Sequence, residues 1–184
     1  MNTVVTSREQ ILAAARELAL SGGELSMRAV AARCGIAVGS IYNYYPTKAD
    51  LTIAVVAEVW QEIFHPGLCA DAGSGPHCFA ALVRRLAQQV AESGARYPGF
   101  FASHRTVIGD KNRGRQAMQQ YSAHIERALC ETLARDTAVR AGVFDAAFSP
   151  AALAAFVLDF LREDLMRGTD RSAFLLALLD RTLY

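Results

Sequence analysis

Apolar residues recur three and four positions apart through most of this chain, and no stretch alternates apolar and polar as a half-buried strand would. The pattern predicts an all-α protein. Ser7-Arg8-Glu9-Gln10 has the form of a capping box, opening a helix whose Ile11, Leu12, Ala15, Leu18 and Ala19 share a face. Ser21-Gly22-Gly23 ends it. Ser26 caps a second helix, with Ala29, Val30 and Ala31 as its apolar side, and Gly35 follows its end. A glycine there takes the left-handed backbone that closes a helix without a Cβ clash. Val38 to Tyr44 forms a third helix, too short to persist alone. Pro46 stops it, and Thr47 caps a fourth that runs from Lys48 to about Phe64.

That fourth helix is apolar on two sides, through Leu51, Val55, Val59, Trp60, Ile63 and Phe64, so it needs two partners. His65 to His77 is rich in glycine and proline and reads as a surface loop. Leu82, Leu86 and Val90 mark a helix over Phe79 to Ser93, and a short element spans Phe100 to Val107. A long helix from about Arg113 to Ala138 carries Met118, Tyr121, Ile125, Leu129 and Leu133. Ser149-Pro150 joins a hydroxyl cap to a proline at the first helical position, starting a helix to Arg167. Asp170 opens the last helix, uninterruptedly apolar from Ala173 to Leu179. Two such helices with apolar surface to spare form half of an intermolecular four-helix bundle, or lie buried in the monomer.

Two short helices around a glycine turn make a helix-turn-helix, which lays its second helix in the major groove of DNA; a helical hairpin within a bundle has the same pattern. The segment GIAVGSIYNYYPTKADL resembles the signature of the tetracycline-repressor (TetR) family. Gly35, Ile36, Ile41, Tyr42, Tyr44, Tyr45, Thr47, Lys48 and Leu51 fall in register with it, whereas Ala37 stands where the family often has a capping serine. The likeness covers about the first fifty residues. It implies a three-helix DNA-binding module over residues 1–47 and a helical effector-binding and dimerisation domain over 48–184. It also implies a regulator, more often a repressor, that binds a palindromic operator as a homodimer and is released by a small molecule.

Net charge changes the picture little. The chain carries 19 basic and 18 acidic side chains, and residues 1–50 hold five against four. DNA affinity then rests on placed contacts rather than on a general basic field. Lys48, at a helix N-terminus, makes a phosphate clamp with the backbone amides. Thr47 and Tyr42 offer hydroxyls to phosphates, and Gly39 lets the third helix approach the groove. Ser40, Asn43 and Tyr44 are candidates for base edges or flanking phosphates, with Arg28 from the second helix, and Val38 can meet a thymine methyl. Arg8 reaches a phosphate or is simply solvated, and Tyr45 reads as a core ring.

The resemblance places an effector cavity after Lys48. Trp60, Phe64, Phe79, Leu82, Leu86, Phe100, Phe101, Met118, Tyr121, Ile125 and Phe156 are able to line one, although each also suits a plain core. His104, Arg105, Gln88 and His124 are polar anchors, and the aromatic content fits an apolar or planar ligand. His65, Cys69, Asp71, His77 and Cys78 crowd one region with metal-binding donor types, at a spacing matching no established zinc finger. Cys34, beside the turn, raises the thought of redox sensing. The four cysteines form no CxxC pair, which suits a reduced cytoplasm. No signal-peptide pattern and no run of the ~18 apolar residues a membrane span needs is present. Neither a phosphate loop nor an HExxH or nucleophile-elbow motif points to an enzyme, and no cofactor is expected. A helical protein-interaction module that keeps the motif as scaffold is the rival reading.

Overall fold

The computed structural model describes residues 6–21, 25–69, 75–97, 100–103 and 113–184, with backbone alone at 66, 67, 69, 102, 103, 113–118 and 120. The regular elements among these residues are helices: α1 (Arg8–Leu20), α2 (Met27–Cys34), α3 (Val38–Tyr42), α4 (Lys48–Cys69), α5 (Cys78–Arg96), α6 (Phe100–Ser103), α7 (Arg113–Arg135), α8 (Pro150–Arg167) and α9 (Ser172–Leu183). An isolated bridge between Gly75 and Asp136 is the extent of β-pairing among the described residues. None of the helices there is long and apolar enough to cross a membrane.

Two compact units divide the chain. Met1–Val59 with Phe100–Met118 forms one, and Trp60–Gly99 with Gln119–Tyr184 the other. In the first, α2 packs on both α1 and α3. Ile11, Ala15, Val30, Ile41, Tyr45, Leu51 and Val55 are its buried centre. The caps read from the sequence are present. Ser7 Oγ accepts from the Gln10 amide at 3.2 Å while the Gln10 side chain accepts from the Ser7 amide at 3.0 Å. Gly35 sits at φ 66°, ψ 32°, where the glycine is required. Ala37 caps α3 with no side-chain bond, as its methyl dictates.

Boundaries differ where tertiary contacts outweigh local signals. α3 stops at Tyr42, because the amides of Tyr44 and Tyr45 both turn back to the Ile41 carbonyl, at 2.9 Å each. α4 does not end at Phe64 but runs on through Pro66 to Cys69, into the stretch read as loop. Proline forfeits one amide bond, yet its fixed φ is helical. The short element after Pro98 is described as a helix only over Phe100–Ser103.

In the second unit α5 packs against α8 and α9. Ser149 Oγ caps α8 through the Ala152 amide at 3.1 Å, with Pro150 at its first turn, and Gly168 closes it at φ 64°. Two buried carboxylates organise the connections. Asp164 accepts from the Thr169 hydroxyl at 2.9 Å, the Arg171 amide at 2.9 Å and Arg171 Nε at 2.5 Å, setting the turn from α8 to α9. Asp136 accepts from the amides of His77 (2.8 Å), Phe79 (3.0 Å) and Ala138 (3.0 Å) and from the Tyr184 hydroxyl (2.7 Å). It thereby ties the end of α7 to the start of α5 and to Tyr184.

Burial raises the pKa of Asp136, but the Tyr184 hydroxyl and the three amides outweigh it and hold the carboxyl below its ordinary range. A depressed folded-state pKa adds stability that is present above about pH 4 and lost as pH falls through the folded value. Asp136→Ala leaves those amides without their acceptor, and urea unfolding at pH 7 should show a loss of about 2–4 kcal/mol. Tyr184→Phe should cost about 1 kcal/mol. The gap between wild type and Asp136→Asn should narrow steadily between pH 5 and pH 2, which denaturation at several pH values will show.

Candidate nucleic-acid interface and effector cleft

The turn after α2 aims a five-residue helix outward by burying its one large apolar side chain, Ile41. What remains on α3 is polar or small. Gly39 is exposed, and a Cβ there would meet nothing within 4 Å of the protein. Tyr42 is 48% exposed, a large fraction for an aromatic ring, and Asn43 beside it is exposed too. Val38 and Ser40 are half-buried. Arg28 projects from α2 into solvent.

Tyr44 has a structural duty that the sequence alone does not reveal, and Thr47 makes the helix cap expected of it. The Tyr44 hydroxyl donates to the Thr6 carbonyl at 2.8 Å, and its own carbonyl accepts from Arg8 at 3.3 Å. Its half-buried ring thus ties the end of the reader helix to the approach to α1. Thr47 Oγ1 accepts from the Asp50 amide at 3.1 Å and donates to the Asp50 carboxylate at 2.8 Å, which also accepts from the Thr47 amide at 3.0 Å. This is a reciprocal cap of the kind Ser7 and Gln10 make. Thr47 and Lys48 are both exposed at that helix start. Arg8 lies over the ring of Tyr45, 4.6 Å from its centroid, a cation–π contact. Tyr45 itself is buried, and burial pushes its hydroxyl pKa up.

Cys34 is half-buried at the end of α2, and burial raises its thiol pKa. A thiol held protonated is a poor nucleophile and a poor redox trigger. Of the metal-type donors, Asp71 and the Cys69 side chain lie outside the described residues. The His77 ring rests 4.4 Å from that of Tyr184, and Cys78 Sγ donates to the Thr132 carbonyl at 3.5 Å. Among the described residues no three metal-type donors come together.

A cleft of about 330 Å³ opens in the second unit between the latter half of α4 and α7. Trp60, Gln61, Phe64, His65 and Leu68 line it from α4, and Tyr121, His124 and Ile125 from α7. Trp60 and Phe64 stack with centroids 5.1 Å apart, giving one flat aromatic wall. The Gln61 side chain hydrogen-bonds the Tyr121 hydroxyl; burial, the larger influence, raises the pKa of that hydroxyl. The structure therefore brings together Trp60, Phe64, Tyr121 and Ile125 of the residues proposed to line a cavity, with His124 as a polar member. Phe79, Leu82 and Leu86 are buried along α5 and do not line this cleft. Phe100 and Phe101 meet edge to face, with centroids 5.0 Å apart, in the first unit. Phe156 is 44% exposed and lines a separate apolar groove with Leu153, Leu178 and Leu179. His104, Arg105 and the Met118 side chain lie outside the described residues. The sequence reading passed over Gln61 and Leu68. Residues 61, 64, 65 and 68 form one stripe at helical spacing, so periodicity alone places all four on a common face.

Residues 11–55 match the model of the family described as bacterial regulatory proteins, tetR family. The chain is 41% identical over 58 residues to the HTH-type transcriptional repressor KstR of Rhodococcus jostii, a match covering 30% of this chain and 27% of that repressor. The likeness to this relative in sequence thus spans little more than a quarter of its length. Among solved structures, the transcriptional regulator FadR of Bacillus subtilis, in complex with stearoyl-CoA, superimposes with a TM-score of 0.61 at 17% identity. That superposition covers 97% of this chain and 100% of that one. Reduced NemR of E. coli gives 0.62 at 16% identity, covering 96% and 97%. At such identities these neighbours speak for the fold over nearly the whole chain, while the family assignment rests on the N-terminal residues. Residues 11–55 are thus a domain of the tetR family of bacterial regulatory proteins, in a chain whose fold is that of these solved neighbours.

Proposed function

We propose that this protein is a cytoplasmic, ligand-responsive transcriptional repressor that binds a palindromic operator as a homodimer. Residues 1–47 read the DNA, and residues 48–184 dimerise and bind an apolar or aromatic small molecule that releases it. The observation that carries the reading is α3 itself, a helix with Ile41 buried and an exposed, unobstructed Gly39-Tyr42-Asn43 surface. Gly39 removes the side chain that would hold the backbone off a groove floor. Tyr42 and Asn43 meet base edges or flanking phosphates, and Lys48 adds an ammonium to the amides at the start of α4.

Dimerisation is supported by the outer faces of α8 and α9. Phe174 is 64% exposed and Phe156 44%. Phe156, Phe160 and Phe174 form a ladder with centroids 6.1 and 6.4 Å apart, and Arg171 lies 4.4 Å over Phe160. An aromatic ladder left to water is costly, and a second copy seated on it removes that cost. Two-fold symmetry then presents two reader helices to successive major grooves, roughly 34–36 Å apart.

Release follows from α4 being one continuous helix. Lys48 stands at its start and the cleft-lining Trp60 begins about 18 Å further along, at 1.5 Å per residue. A ligand that binds better to one tilt of α4 shifts the population toward that tilt and away from the operator spacing.

Lys48→Ala should weaken binding to all DNA sequences alike and lower the slope of log affinity against log salt by about one, measured by fluorescence anisotropy between 50 and 300 mM salt. A changed base preference at constant slope would refute the phosphate role. Gly39→Ala places its methyl in open space, so the melting temperature should hold or rise, by up to about 1 kcal/mol of stability, while operator affinity falls at least tenfold. Phe174→Glu should convert a dimer into a monomer in sedimentation velocity and lose operator binding with it. A wild-type monomer without DNA affinity would favour the protein-interaction reading instead.

A further inference from the structure

The polar atoms of the α4–α7 cleft have a definite sense, and it narrows the kind of molecule that fits. This step rests on the cleft being the effector site. Arg127 on α7 places Nη2 3.1 Å from Nδ1 of His124. A guanidinium only donates, so Nδ1 is the acceptor and the neutral imidazole carries its proton on Nε2. Tyr121, one turn earlier on the same helix, shares a hydrogen bond with the Gln61 side chain and lines the cleft. With the Gln61 amide donating through its NH2, the phenol keeps its own O–H for an acceptor on a bound molecule. Tyr121 and His124 stand three residues apart, so they are neighbours on the helix surface. No aspartate or glutamate is among the described residues lining the cleft. Opposite these donors lie the stacked rings of Trp60 and Phe64, with Leu68 and Ile125 completing the apolar lining.

We infer that the cleft selects a flat apolar molecule bearing a carbonyl or carboxylate oxygen, which accepts hydrogen bonds from Tyr121 and His124 while its body lies along Trp60 and Phe64. Cations are disfavoured, since no described residue of the lining offers a carboxylate and Arg127 stands behind His124. Apolar molecules lacking the oxygen fill the same volume but leave both donors without a partner, a penalty that separates the two classes.

Trp60 is the chain's single tryptophan, so its fluorescence reports occupancy directly. The full chain is titrated by calorimetry and by Trp60 quenching with four probes: 2-naphthoate, 2-acetonaphthone, 2-ethylnaphthalene and 2-naphthylmethylammonium. The two oxygen-bearing probes should bind at least about tenfold more tightly than 2-ethylnaphthalene, and the ammonium more weakly than any. Tyr121→Phe keeps the ring and should reduce the oxygen advantage to within about threefold while leaving 2-ethylnaphthalene affinity unchanged. Equal binding of ethyl and oxygen-bearing probes, a preference for the ammonium, or an equal loss of all four on Tyr121→Phe overturns the inference. In each of those outcomes quenching of Trp60 still marks the cleft as a binding site. Absence of quenching by all four probes overturns this inference and the effector reading together.

Discussion

A helix of five residues has almost no intrinsic stability, because forming its first turn fixes several dihedrals for one hydrogen bond. α3 is such a helix, and everything proposed for this chain requires it to keep its shape. Its conformation is borrowed from neighbours. Gly35 sets the turn before it in a backbone region closed to most side chains. Ile41 and Tyr45 are buried beneath it, and the Arg8 guanidinium covers the Tyr45 ring. Tyr44 pins the far end through the Thr6 carbonyl. Anchoring residues and reading residues alternate over this stretch, so a polar surface can be rigid without apolar residues of its own.

α4 meets the opposite constraint. It is apolar on more than one side, and a soluble helix of that composition has to be covered twice. Its first half contributes Leu51, Val55 and Val59 to the core of one unit, and its second half contributes Trp60, Ile63 and Phe64 to the other. The second half does not close completely against α7, and the cleft left there holds Gln61, Tyr121 and two histidines among aromatic and aliphatic walls. Polar groups set in such a lining are placed at a desolvation cost that a matching ligand recovers.

Beyond the cleft, the second unit is held in register by buried carboxylates rather than by helix packing alone. Asp136 and Asp164 each collect several donors from connections and helix ends. Backbone amides buried in connections need acceptors, and a carboxylate with two oxygens serves several at once. Asp164 does so at the turn that leads into the Phe160–Phe174 ladder, so the proposed dimer face inherits its shape from the ion pair between buried Asp164 and exposed Arg171.

By itself the amino-acid sequence determined the helical class, the helix starts at Ser7, Ser26, Thr47 and Ser149, and the glycine turn at Gly35. Each of these depends on the chemistry of a few adjacent residues. The family likeness was legible for the same reason, since its motif is one short continuous stretch from Gly35 to Leu51. Only the tertiary structure decided the rest. Local signals read Pro66 as an interruption, yet α4 continues past it. Nothing local distinguished Tyr44, drawn away to Thr6, from Tyr42, left in solvent. Of the apolar residues that suited a cavity equally well by composition, some meet in the α4–α7 cleft and others fill the core of α5. That choice depends on which helix faces which across long sequence separations, and helical periodicity tells the face of a residue but never its partner.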